Sequence, residues 1–343
     1  MRNPVINKLQ EIEPRTVEWL WHEKIPKGRI SLIAGDPGIG KSWVSLDIAA
    51  RVSKGTEWPD GQANKPGNVV LINCEDDFGD TIRPRLEKLG ADLDRVFELQ
   101  GWCSDGSEYV HQMTFDDMDI LEKVIDEINP SLIILDPLSA YFNEQTDNYR
   151  DTSVRRALRP VAEMIMEKNV AFLMIAHLNK TSDQAGLYRV SGSIQFSGAA
   201  RTSYLVALDP TDLDRRLMLC IKNNLGPARF GFAYKVNPDN GVHPIEWDPR
   251  ELREEDLDMI VSSSQRLDEE VRELMKWLAE ESKIQKGVLI PGTIRKSAQE
   301  GGYSWNTVQK ARRAAGFSAV KVNDGWKWIS EETPDAGGGW YKE

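Results

Sequence analysis

Cysteine is scarce: Cys74, Cys103 and Cys220 are spread over 343 residues with no CxxC pair among them. Neither a disulfide framework nor a zinc ribbon is supported, and the three are read as reduced core thiols. Long apolar runs are missing too. No stretch approaches the roughly 18 apolar residues of a membrane span, and Met1–Gln10 has no signal-peptide core, so a cytoplasmic protein without a membrane partner is expected. Net positive charge is also lacking, with 43 Lys and Arg against 54 Asp and Glu, a formal charge of −11. Over the whole chain that balance argues against a protein that coats nucleic acid, because neutralising phosphates takes clustered cations. The distribution is uneven, however. From Ile284 to Ser330 eight basic residues face two acidic ones, a local charge of +6 that leaves −17 for the rest.

What is present suits a globular protein with a sizeable core: 40% hydrophobic and 28% charged residues. The length favours one large domain with a smaller attachment. Short apolar runs at Ile30–Ala34, Val69–Asn73, Leu132–Leu135, Ala171–Ala176, Tyr204–Leu208 and Leu217–Ile221 read as strands, several without polar alternation, as in a parallel sheet buried on both faces. Helical patterns at Gly79–Leu89, Asp116–Ile128 and Thr152–Lys168 lie between them, which predicts an α/β fold with a mostly parallel central sheet. The expected organisation is a first domain over 1–240, an acidic, Ser-rich linker over 241–266, a small helical domain with a hairpin over 267–330, and a flexible tail over 331–343 that contains Gly337–Gly339.

Directly after the first strand comes Gly35-Asp36-Pro37-Gly38-Ile39-Gly40-Lys41-Ser42, followed by a helical pattern from Trp43. Glycines in such a loop let backbone N–H groups curl round a phosphate at a helix N-terminus, where the helix dipole favours negative charge. Lys41 is expected to reach the β- and γ-phosphates and Ser42 to ligate magnesium, making ATP and Mg²⁺ the expected cofactors and placing Trp43 at the edge of the binding loop. A metal-nucleotide site also wants a carboxylate at a neighbouring strand end, which Asp136 supplies after four apolar residues. Glu75, just beyond another strand, is the candidate base for the attacking water, with Asp76 and Asp77 as competitors. His177 ends a further strand, where an imidazole can sense the γ-phosphate. Arg201 and Lys222 are the two candidates for a cation that stabilises the transferring phosphate, a role that in ring ATPases falls to the neighbouring subunit.

These residues in this order resemble the RecA-like P-loop ATPases of the plasmid RepA-type hexameric helicase group. The resemblance runs from about Arg15 to Asn237 and rests on Trp19-Leu20-Trp21, Gly28, the phosphate loop, Cys74-Glu75-Asp76-Asp77, Leu132–Asp136, Ala176–Lys180, Arg189–Ser193 and Lys222-Asn223-Asn224. It implies a homo-oligomeric ring, a hexamer, moving on single-stranded DNA, with Glu75 as catalytic carboxylate, His177 as phosphate sensor and Arg201 acting in trans. The segments after Asp136 and His177 would be pore loops, in which Arg150, Lys180 and Arg189 meet the DNA backbone. About thirty residues precede the phosphate loop, too few for a primase domain, so a separate primase or initiator is an expected partner.

The basic C-terminal segment is read apart. Ser304 is a plausible N-cap for a helix whose Val308, Ala311 and Ala315 pack inward while Lys310, Arg312 and Arg313 decorate its face. With a hairpin turning at Asn323-Asp324-Gly325 this predicts a winged-helix-like domain that contacts DNA, or a protein-interaction module with a solvated basic face.

Overall fold

Aliphatic runs free of polar alternation form a sheet covered on both faces. Its strands are β1 (Ile30–Gly35), β2 (Asn68–Asn73), β3 (Val96–Glu98), β4 (Pro130–Asp136), β5 (Ala171–His177), β6 (Thr202–Leu208), β7 (Arg215–Asn223), β8 (Gly231–Val236) and β9 (Ile245–Trp247). The computed structural model describes residues 6–104, 106–107, 109–142, 151–178, 198–210, 212, 214–228, 230–237, 243–285, 288–322, 325–330 and 341–342. The chain divides into two units, Met1–Leu257 and Asp258–Glu343.

In the first unit the strand order is β9-β8-β7-β6-β1-β5-β4-β2-β3. The strands from β6 to β3 run parallel to their neighbours, and β7, β8 and β9 continue the sheet antiparallel. This is the expected α/β class with a large, mostly parallel sheet. The two-residue period of a strand splits β1 between two cores. Ile33 joins one with α1 (Lys41–Lys54), while Ile30, Leu32 and Ala34 join the other with α3 (Met118–Ile128) and α4 (Asp151–Lys168). Each buried Ile or Leu of this set stabilises the fold by about 2 kcal/mol. Register brings Gly35 opposite His177 and Asn73 opposite Asp136, so four strand ends meet at one edge. At the other edge Thr202 stands opposite Ser31 and Asn223.

Several local expectations are corrected. The pattern from Gly79 begins instead as a π-turn, Phe78–Ile82, because Asp77 caps it by accepting from the backbone N–H groups of Gly79 and Asp80, and α2 proper is only Arg83–Lys88. The stretch expected as a linker holds β9 and the first turns of α5 (Glu254–Ile284), whose Leu257 and Ile260 are buried. Cys220 is a core thiol, but Cys74 and Cys103 are exposed. No described helix is long and apolar enough to cross a membrane.

In the second unit, α6 (Pro291–Glu300) and α7 (Trp305–Ala314) follow α5, and a sheet of order β10-β12-β11-β13 joins Val288–Leu289, Gly325–Ser330, Phe317–Val322 and Tyr341–Lys342 respectively. Residues 341–342, expected within a flexible tail, thus pair with β11. Ser304 caps α7 by accepting from Thr307 N–H. Leu274, Leu278, Ile294, Val308, Phe317 and Trp328 form the core.

Candidate nucleotide site

Gly35 closes β1 where a Cβ would stand 2.6 Å from the Val206 carbonyl oxygen, so the loop can leave the sheet here only without a side chain. Gly40, with φ of 96°, turns the backbone left-handed into α1. The next residue, Lys41, is 4% exposed, and its Nζ donates to the carbonyls of Gly35 (3.0 Å) and Asp36 (2.9 Å). It also lies 3.1 Å from His177 Nδ1. Burial pulls the Lys41 pKa down, opposed by Asp136, Asp36 and Glu75. Pro37 and Gly38 lie exposed at the crest of the loop, with Asp36 and Ile39 half-buried beside them.

Ser42 Oγ donates to Asp136 Oδ2 at 3.0 Å. Burial pushes the Asp136 carboxyl up to about 6, with the Ser42 bond lowering it and the nearby Glu75 charge raising it. Of the three consecutive acids after β2, Asp76 is engaged by Arg85 at 2.8 Å and Asp77 caps the π-turn. Glu75 remains turned toward the loop, its Oε2 3.6 Å from His177 Nε2. The Asn73 side chain holds that turn by accepting from Glu75 and Asp76 N–H. Lys41, His177 and Glu75 therefore form a continuous line across three strand ends, with Ser42 and Asp136 beside it.

The remaining sequence candidates are placed differently. Trp43 is half-buried under the Arg85 guanidinium, 5.3 Å from its ring centre. Arg201 precedes β6 at the opposite sheet edge: its N–H donates to Ile30 O, its carbonyl accepts from Asn224 N–H, and it is exposed. Lys222 sits at the same far edge and donates to Ala200 O at 2.8 Å. Neither is brought to the phosphate loop of its own chain. Arg150, Lys180 and Arg189 lie outside the described residues. On α7, Lys310 and Arg313 are exposed, but Arg312 is half-buried, its guanidinium 5.4 Å from the Trp328 ring centre. The expectation that all three basic residues decorate one open face is corrected, because the hairpin packs Trp328 under the middle one.

Sequence reasoning missed Arg216. Its Nε donates to the Ile39 carbonyl at 3.0 Å, bracing the loop from β7.

The residues at this edge suit a magnesium nucleotide: glycines that admit close approach, a buried lysine among carbonyls, and a hydroxyl beside a carboxylate. No cluster of three or more His, Cys, Asp or Glu able to hold a metal occurs among the described residues. A cation here would be shared with phosphates and water, as Mg²⁺ prefers.

The family model described as an AAA domain matches residues 2–183, just over half of the chain. Among curated proteins, the DNA repair protein RadA of Aquifex aeolicus (strain VF5) is 26% identical over 228 residues, 64% of this chain and 42% of that protein. The DNA repair protein RadA of Bacillus subtilis (strain 168) is 23% identical over 208 residues, 59% of this chain and 38% of that protein. The chain spans less than half the length of these relatives. Among solved structures, the ATPase domain of G40P aligns with a TM-score of 0.44 at 14% identity, covering 64% of this chain and 84% of that one.

Proposed function

Because the chain belongs to the AAA domain family, we propose that it hydrolyses ATP and uses the energy, as a homo-oligomeric ring, to move along and unwind DNA in a phage- or plasmid-type replication system. The observation that carries this reading is the line Lys41–His177–Glu75 beside the Ser42–Asp136 pair at one sheet edge. On nucleotide entry Lys41 exchanges loop carbonyls for β- and γ-phosphate oxygens. Glu75 accepts a proton from water as the water oxygen attacks the γ-phosphorus, the bond to the bridging oxygen breaks, and ADP and phosphate result. His177, between Lys41 and Glu75, reports the γ-phosphate to the base. Ser42 and Asp136 would hold Mg²⁺, which when bound neutralises phosphate charge. Arg201, with Lys222 behind it, acts on the site of a neighbouring subunit, since both stand at the far edge of their own sheet. Arg150, Lys180 and Arg189 line the single-strand path, and the second unit works as a winged helix in which Lys310 and Arg313 meet DNA phosphates.

The similarity to RadA favours a second reading, a recombination or DNA-loading ATPase without unwinding. Strand displacement on a forked duplex separates the two. The primary test is ATPase activity of wild type and Glu75→Gln, with and without single-stranded DNA, alongside oligomeric mass. DNA-stimulated turnover in a ring-sized species, lowered at least a hundredfold by the substitution, is expected. Turnover indifferent to DNA, or a monomer throughout, defeats the motor.

A further inference from the structure

The two tryptophans of β12 are two residues apart, so they project from one face of the strand, yet they are used differently. Trp328 is 2% exposed and stacks on Trp305, with ring centres 5.5 Å apart and planes inclined by 22°. Arg295 lies over the Trp305 ring and Arg312 over the Trp328 ring, each at 5.4 Å. The series Arg295, Trp305, Trp328 and Arg312 ties α6, α7 and β12 together, each cation–π contact adding to the burial of the rings. Arg312 Nε is buried without a hydrogen-bond partner, so this guanidinium is committed to the clasp.

Trp326 lies beyond the clasp and is 40% exposed. Directly opposite it on β11 is Lys321, also exposed. Opposed residues of an antiparallel pair hold their Cβ atoms about 5 Å apart, so the two side chains leave one face of the hairpin side by side. Beside it, Gly325 has φ of 123° and open space where a Cβ would stand. Trp326 thus keeps two-fifths of its surface open beside Lys321.

We propose that Trp326 is a stacking platform for an unpaired nucleotide base, with Lys321 holding the adjoining phosphate, and that Arg312 belongs to the clasp that supports the hairpin. This rests on the reading that the chain acts on DNA. The occupant follows from charge and shape. A flat apolar ring beside a cation, in a segment carrying +6 within a chain of −11, matches a base joined to a phosphate. Bases within an intact duplex are already stacked on their neighbours, so the ligand is single-stranded nucleic acid or a frayed duplex end, the species that strand separation creates.

The test measures binding of a labelled oligothymidylate to the full chain by fluorescence anisotropy over a salt series, with melting temperature and ATPase activity, with and without DNA, recorded on the same samples. Trp326→Ala is expected to weaken binding about tenfold and Trp326→Phe about twofold, both with the wild-type salt slope, because stacking releases no counterions. Lys321→Gln is expected to lower the slope by about 0.7, the value of one single-strand phosphate contact. Wild-type affinity in Trp326→Ala, or equal losses in the Ala and Phe variants, overturns the proposal. The ATPase reports on the catalytic reading separately: if wild type turns over no ATP either with or without DNA, that reading fails whatever Trp326 does.

Discussion

At the carboxyl ends of β1, β2, β4 and β5 the polar groups of one chain touch one another, from Lys41 through His177 to Glu75 and from Ser42 to Asp136. At the amino end of β6, Arg201 is exposed and tied in through its backbone, and Lys222 donates to the Ala200 carbonyl. The contrast follows from topology. Parallel strands deliver all their carboxyl ends to one edge, where loops and helix N-termini gather, and this makes it the binding edge of open α/β sheets. A cation at the amino edge is remote from the nucleotide edge of its own sheet, which is the geometric ground for the proposed action on a neighbour.

Breaking that division has the largest expected effect. Arg201→Ala should lower kcat by about three orders of magnitude, the lower end of the range for a lost arginine finger, while nucleotide binding persists. Lys41→Ala should be inactive by itself. Mixed in equal amounts, the two variants should recover about a quarter of the wild-type rate, since the proposed head-to-tail ring would place intact Arg201 edges against intact Lys41 sites with that frequency. Steady-state ATPase of the mixture checks this, and a rate equal to the sum of the separate variants would assign Arg201 to its own chain.

Much of the carboxyl edge was legible because its signals are local. The glycine spacing from Gly35 to Gly40 and the polar residues ending aliphatic runs at Asp136 and His177 need only the strand pattern. The amino edge and the braces needed register. Arg215 and Arg216 are adjacent and alike in sequence, yet pairing of Arg216 with Leu208 is what sends one of them to Ile39. The strand Ile245–Trp247 and the start of α5 were hidden in an acidic stretch whose few apolar residues, such as Leu257 and Ile260, reveal their spacing only once the helix is formed. Arg312 looked like its neighbours Lys310 and Arg313 because nothing within the helix shows where the hairpin will lay Trp328.

The carboxyl edge also stores an electrostatic cost. Burial raises the Asp136 pKa from 3.8 to about 6, so the folded chain prefers the protonated acid more than the unfolded chain does. The stability tied to this group is present below pH about 4 and is lost as pH rises to about 6, on the order of 3 kcal/mol at ~1.4 kcal/mol per pKa unit. Asp136→Asn removes the charge and keeps an oxygen to accept from Ser42. Without nucleotide or magnesium, its unfolding free energy by urea denaturation should match wild type near pH 4 and exceed it above pH 6. A difference that does not vary with pH would mean the carboxylate is already well solvated.

One strand serves both edges, and its two cations sharpen the comparison at the smallest scale. β7 runs antiparallel to β6, so Arg216 stands near the phosphate loop while Lys222, six residues and roughly 20 Å along, stands at the amino edge. Arg216 donates to the Ile39 carbonyl, a hydrogen bond of about 1 kcal/mol that holds the loop in the shape that receives phosphate. Arg216→Gln should therefore raise KM for ATP about fivefold with kcat within about twofold, whereas Lys222→Gln should do the reverse, lowering kcat with little change in KM. Steady-state kinetics of the pair reads this directly. A fall in kcat for Arg216→Gln at unchanged KM would place its guanidinium on the transferring phosphate, and the division between a binding edge and an edge that acts on a neighbour would then no longer hold along β7.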